Sequence, residues 1–170
     1  DVGVHYLGHV GEQKTIIKAA YDYITASPIE WEDMGAVYDV AFVGEKRYEF
    51  RKGKDEFVEY FANLFPEERK NLKRYVSLLQ KIYLYAHLYH APKAMPVILG
   101  KMFGWFLRRP FKKYASRTTL EMMDELFADK ELKAVLCAQY GDFGLPPAQS
   151  SFAIHALVCE HYLNGGYYPV

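Results

Sequence analysis

The chain predicts an α+β domain, mostly helical, with a small mixed or antiparallel sheet. Three observations lead there. Half of the 170 residues are apolar and 16% are aromatic, which fills one ordinary core and argues against disorder. Long stretches repeat apolar residues every three or four positions, as helices do. Only two adjacent runs alternate well enough to form a hairpin, and the other strand-like segments stand far apart, at the two ends.

Taken in order, Asp1 to Gly8 reads as an opening strand, and residues 12–25 as a helix with Ile16, Ile17, Ala20, Tyr21 and Ile24 on one face. Ser27-Pro28 ends it. Residues 36–43 and 47–51 form a hairpin around Gly44-Glu45-Lys46, with Tyr38, Val40 and Phe42 on one face and Tyr48 and Phe50 extending it. Residues 54–64 make a short helix, and Pro66 starts a long one. Its stripe of Leu72, Tyr75, Val76, Leu79, Ile82, Tyr83, Ala86, Tyr89 and His90 gives a spine about 37 Å long at about 1.5 Å per residue. A helix is expected over residues 95–107. Two shorter ones follow it, the first opened by a Thr118/Glu121 capping box and the second by Asp129. The last helix, about residues 148–163, is apolar nearly all round, so both of its sides should be buried.

Composition excludes several functions. Lysine plus arginine equals aspartate plus glutamate, so no global field recruits nucleic acid. Cys137 and Cys159 sit in apolar helical stretches and read as buried free thiols, which suits a reducing, cytoplasmic compartment. No apolar run reaches the length of a membrane span. His155 and His161 stand six apart on their helix and cannot chelate one metal. His87 and His90 have no acidic or thiol partner beside them, and no metal site is expected. Ser150-Ser151 lacks a nucleophile elbow and reads as a helix cap.

One stretch is unusual. Between Glu68 and Glu121 there is no acidic residue, and within that span Met102, Phe103, Trp105 and Phe106 stand beside Arg108, Arg109, Lys112 and Lys113. Two readings fit: an interfacial helix that faces a membrane as a lid, or a core helix followed by a solvated basic loop. The segment 141–147 also admits two. Gly141 and Gly144 permit close approach and Pro146-Pro147 stiffens the entry to the last helix, so the loop either walls a substrate tunnel or merely connects. Gln149 and Ser150, expected in that helix's first turn, are the polar groups placed to meet a substrate hydroxyl.

Two segments carry a family resemblance. Asp1-x-Gly3-x-His5-Tyr6-x-Gly8 resembles the opening motif of the phytoene desaturase, carotenoid isomerase and retinol saturase flavoproteins. Gly141-Asp142-x-Gly144-x-Pro146-Pro147, Ser151-Phe152-x-x-His155-Ala156 and His161-Tyr162-x-x-Gly165-Gly166-x-Tyr168-Pro169 resemble the retinol saturase branch. The resemblance implies the substrate domain of an amine-oxidase/phytoene-desaturase-type flavoprotein, as a single domain over residues 1–170. It implies FAD in the intact parent, bound by a half of the same polypeptide outside this segment, because Gly3, Gly8 and Gly11 do not reproduce a dinucleotide-binding turn. It further implies an apolar carotenoid- or retinoid-type polyene as substrate and peripheral membrane contact. His5, Tyr6, Gly141, Asp142, Gly144, Gln149, Ser150, His155, Tyr162 and Tyr168 would then stand at the boundary between flavin and substrate. Both ends stop inside strand-like runs, so the chain reads as the interior of a longer, catalytic protein and as inactive alone. The alternative is a non-catalytic module that binds apolar ligands or a membrane surface.

Overall fold

The computed structural model describes residues 6–11 and 15–170. The fold is α+β and mostly helical, as expected. Among the described residues seven α-helices carry it: α1 (Ile16–Ile24), α2 (Lys54–Leu64), α3 (Arg69–His90), α4 (Val97–Ala115), α5 (Thr119–Leu126), α6 (Lys130–Leu136) and α7 (Phe152–Leu163). The four described strands make two antiparallel pairs: β1 (Trp31–Asp33) with β4 (Tyr167–Pro169), and β2 (Val37–Val43) with β3 (Lys46–Arg51).

The β1–β4 pair joins residues more than a hundred positions apart, the distant pairing the sequence suggested. Leu7 bridges Tyr167 from the other side through reciprocal backbone bonds of 2.8 Å, so β4 lies between β1 and the segment 6–11. The expected opening strand is described only from Tyr6 onward; Asp1 to His5, and residues 12–14 of the first expected helix, lie outside the described residues.

In the hairpin, Gly44 takes the positive φ of 62° that its two-residue turn requires. The facing differs from the simple alternation. A register shift between Val37 and Asp39 turns Tyr38 and Ala41 inward together, and Phe42 points to solvent. Tyr48 and Phe50 do face the core.

The spine is α3, which packs on α2, α4 and α7. Its stripe is buried from Leu72 to Ile82 and only half-covered from Tyr83 onward, with His90 exposed. Glu68, in the turn before α3, is buried and accepts from the backbone N–H groups of Ala128 (2.7 Å) and Asp129 (2.8 Å) and from Asn71 Nδ2 (2.6 Å). That one carboxylate clamps the start of the spine to the α5–α6 junction. Thr118 and Glu121 form the expected capping box, and the Asp129 carboxylate caps α6.

Two helices depart from expectation. Helix α4 does not stop at Leu107 but runs on through Pro110 to Ala115, carrying the basic residues with it. The last helix begins at Phe152 with Ser151 as its cap, not at Pro146-Pro147. The turn 146–150 instead ties to the start of α5, with Leu120 N donating to Pro147 O (2.8 Å) and Thr119 N to Ser150 O (2.8 Å). Helix α7 is buried on both sides, as its all-round apolarity required.

Candidate functional site

Because α7 is enclosed, its polar side chains must find partners inside the protein. Most of them do so, as two clusters on opposite faces. His155, Cys159 and Tyr162, at i, i+4 and i+7, share one face; Glu160 and Asn164 look the other way, with His161 beside them.

The first face anchors a chain of hydrogen bonds across the core. The Tyr75 hydroxyl of α3 meets His155 Nε2 at 2.8 Å. Cys159 Sγ lies 3.6 Å from His155 Nε2 and 3.6 Å from Gln139 Oε1. Gln139 Nε2 donates to Asp39 Oδ2 (3.2 Å) and to the Tyr6 hydroxyl oxygen (3.3 Å), and the Tyr6 hydroxyl donates to Asp39 Oδ2 (3.0 Å). The rings of Tyr6 and Tyr162 stand 4.2 Å apart, with Tyr38 6.1 Å from Tyr162.

Electrostatics fix the protonation of this chain. Burial pushes His155 down to about 4, so it is a neutral imidazole at physiological pH. Burial pushes the Cys159 thiol up to about 12, and Cys137 likewise, which leaves both as inert buried thiols. Burial, and after it the Asp39 carboxylate, raises the Tyr6 hydroxyl far above the ordinary phenol range. Burial and the Asp142 carboxylate do the same for Tyr162. The face is therefore a set of side chains bonded to one another in an apolar surround, with no activated nucleophile.

The second face holds the segment 6–11 against the helix. Gly8 N–H donates to His161 Nε2 at 2.7 Å, and Asn164 Nδ2 lies 3.0 Å from His9 Nε2. Glu160, buried, approaches His9 at 3.5 Å, and the His9 ring stacks on Tyr83 of α3. Burial, aided by the neighbouring His9, pushes His161 down to about 4, so its Nε2 stays free to accept. His9 holds a positive φ of 58°, a conformation costly for a side chain bearing a Cβ, and its contacts hold it there.

The expected boundary residues divide accordingly. Tyr6, Tyr162 and His155 are brought together, and Asp142 acts on Tyr162. Gly141 and Gly144 lie on an exposed turn, Tyr168 is exposed on β4, and Gln149 is exposed near α5. Ser150 is buried and bonded to Thr119 Oγ1 (2.8 Å), so it and Gln149 do not form the first turn of α7. His5 lies outside the described residues. Sequence reasoning missed Gln139, Asp39 and Tyr75, which link the cluster. Tyr75 was visible only as a stripe residue, and nothing in its spacing announces a polar partner 80 positions away.

The lid residues lie on α4, and their exposure is opposite to a core helix. Ile98, Val97, Trp105, Phe106 and Met102 are 80, 73, 71, 68 and 63% exposed, and Gly104 is the helix's one buried residue. The helix seats closely on Pro92: a Cβ at Gly100 would lie 2.8 Å from the Pro92 carbonyl oxygen. An open groove of about 550 Å³ follows this contact, flanked by Lys93, Lys101, Arg108 and Lys112. No described helix is long and apolar enough to cross a membrane. No cluster of three or more metal-ligating side chains occurs among the described residues.

Neither Gly8 nor Gly11 forms a dinucleotide-binding turn. The space beside Gly8 is filled by the His161 carbonyl, 1.9 Å from where a Cβ would stand, and that beside Gly11 by the Tyr167 ring. Both strand pairs are antiparallel, so neither belongs to a nucleotide-binding βαβ unit.

Comparison with known proteins extends the resemblance seen at the two ends along the whole chain. It is 29% identical over 181 residues to the all-trans-retinol 13,14-reductase of Danio rerio, 30% over 181 residues to that of Rattus norvegicus and 31% over 178 residues to that of Macaca fascicularis. Each match takes in 99% of this chain and 29% of the relative. The chain is thus a homologue of the retinol 13,14-reductases, the retinol saturase branch, and spans about 29% of their length. No family model matches it, and no solved structure does.

Proposed function

We propose that this chain is the substrate-side domain of a FAD-dependent oxidoreductase that reduces a carbon–carbon double bond of an apolar, retinoid-type polyene. The observation that carries the reading is the continuous similarity to retinol 13,14-reductases over nearly every residue, not over the motifs alone. Such a reduction removes one π bond and forms two C–H bonds, consuming two electrons and two protons. A redox cofactor held by the rest of the polypeptide would supply the electrons, since Gly8 and Gly11 are packed against the chain itself.

What this domain supplies is orientation and dryness. In the Tyr6–Tyr162 pair, half-buried at Tyr6 and fully buried at Tyr162, both hydroxyls are kept protonated by burial and by carboxylates. With its one proton given to Asp39, the Tyr6 hydroxyl oxygen can accept a hydrogen bond from the hydroxyl of a polyene alcohol while its ring packs against the chain of that substrate. Asp39 and Gln139 are positioning residues that hold the Tyr6 hydroxyl. The competing reading, a non-catalytic module for apolar ligands or membrane surfaces, is favoured by the exposure of α4 alone.

The test is made on the intact protein. A visible flavin spectrum, and conversion of all-trans-retinol under reducing conditions to a product heavier by two hydrogens with a shortened conjugated system, are expected. A protein that neither carries nor takes up FAD overturns the oxidoreductase reading in favour of the module. Flavin bound without any reduction of retinoids or carotenoids overturns the polyene assignment.

A further inference from the structure

Helix α4 separates its chemistry along its length. On its outward side the first three turns carry Ile98, Met102, Trp105 and Phe106, all exposed; one turn further on the same side carries Arg109, Lys112 and Lys113. Arg109 also lies over the Trp105 ring, 5.5 Å from its centroid. Beside this face runs the groove floored by Gly100, Gly104 and Pro92 and rimmed by Lys93, Lys101, Arg108 and Lys112. Residues 69–120 hold twelve lysines and arginines and no acid, although the whole chain is neutral. An exposed apolar tip is costly in water, and an exposed cation cluster seeks anions; one surface answers both.

We propose that α4 is an interfacial anchor that seats this protein on an anionic phospholipid surface. Ile98, Met102, Trp105 and Phe106 enter the boundary between head groups and acyl chains. Arg109, Lys112 and Lys113 lie at the level of the phosphates, and the groove takes a lipid phosphate between Lys101, Arg108 and Lys112. A second copy of the chain is a poor occupant, because two such faces would bring their cations together. The inference stands on α4 alone and does not depend on the retinoid reading.

The test uses the intact protein with vesicles of phosphatidylcholine alone, or of phosphatidylcholine with about one-third phosphatidylserine, at low and high salt. Cosedimentation with the anionic vesicles, weakened by salt, and a blue shift of Trp105 emission are expected. Trp105→Phe should keep binding and lose the emission shift. The exposed triple variant Arg109→Glu/Lys112→Glu/Lys113→Glu should weaken partitioning at least about a hundredfold, since each cation near the surface is worth about fivefold. Circular dichroism of that variant should match the parent, which separates lost binding from lost fold. Equal binding to neutral and anionic vesicles, binding to neither, or a lipid-free dimer that itself buries Trp105 would overturn the proposal. None of these outcomes alters the flavin spectrum, so this inference and the oxidoreductase reading fail separately.

Discussion

Replacing Gly8 by alanine should detach the segment 6–11 from α7 without unfolding the domain. The added Cβ would stand 1.9 Å from the His161 carbonyl oxygen, and ordinary contact begins near 3.4 Å. The segment must therefore move out by about 1.5 Å. The Gly8 N–H to His161 Nε2 bond, 2.7 Å long, does not survive that displacement, and a mostly buried imidazole nitrogen loses its donor. Loss of that bond costs about 1–3 kcal/mol, and the overpacking about 1–3 kcal/mol more. Two to six kcal/mol is less than or comparable with the whole stability of a domain this size, about 5–15 kcal/mol. The local segment, held by few buried contacts, gives way first. Hydrogen exchange read by mass spectrometry should show peptides covering residues 6–11 and β4 exchanging far faster, while α3 and α7 keep their protection. If the domain is the substrate side of an oxidoreductase, turnover of the intact protein falls with it, because Tyr6 leaves Asp39 and Gln139. Unchanged protection of residues 6–11, with a melting temperature within a degree of the parent, would refute the reasoning.

Three further outcomes follow from the same contacts. His155 and His161 are held neutral with values near 4, against 6.5 when exposed, so the unfolded chain binds more protons below pH 6.5 and stability falls as pH drops from about 6.5 to about 4. His155 alone should account for about 3 kcal/mol at the bottom of that window, and urea midpoints that flatten in His155→Gln would show it. Glu68→Ala strands two backbone N–H groups and should lower stability by about 3 kcal/mol, or about 6–12 °C in Tm, with Glu68→Gln losing about half as much. Burial acts to raise the Glu68 carboxyl, but Asn71 and the N–H groups of Asp129 and Ala128 outweigh it and hold it low, so its contribution vanishes only as pH falls below about 4.5. Gly100→Ala should destabilise by about 1–2 kcal/mol in thermal melts despite alanine's better helix propensity, because the new Cβ meets the Pro92 carbonyl oxygen at 2.8 Å.

Elements with a periodic signal or a cap were legible in the sequence. The Thr118 capping box, the Asp129 cap, the stripe of α3 and the all-round burial of α7 each depend on residues within two turns of one another. What could not be read depends on distant contacts. The bulge that turns Tyr38 and Ala41 inward together is set by pairing with β3 and by the core behind it. Pro110 reads locally as a stop, yet α4 passes through it. Pro146-Pro147 reads as a helix start, but the backbone there is committed to Thr119 and Leu120. The candidate site divides the same way. Tyr6, His155 and Tyr162 carried motif signals, whereas Gln139 and Asp39 became visible only where the chain crosses itself.

Pro110 gives α4 a mechanical property that its composition does not advertise. A proline has no N–H, so the Phe106 carbonyl lacks the donor it would find four residues on, and the ring crowds that turn. The missing rung falls where the apolar tip gives way to the basic base. Bending resistance is lowest at that joint, so the basic end can change pitch while Gly100 and Gly104 keep the apolar tip seated on Pro92. A helix jointed in this way matches surfaces of different curvature without repacking the spine beneath it.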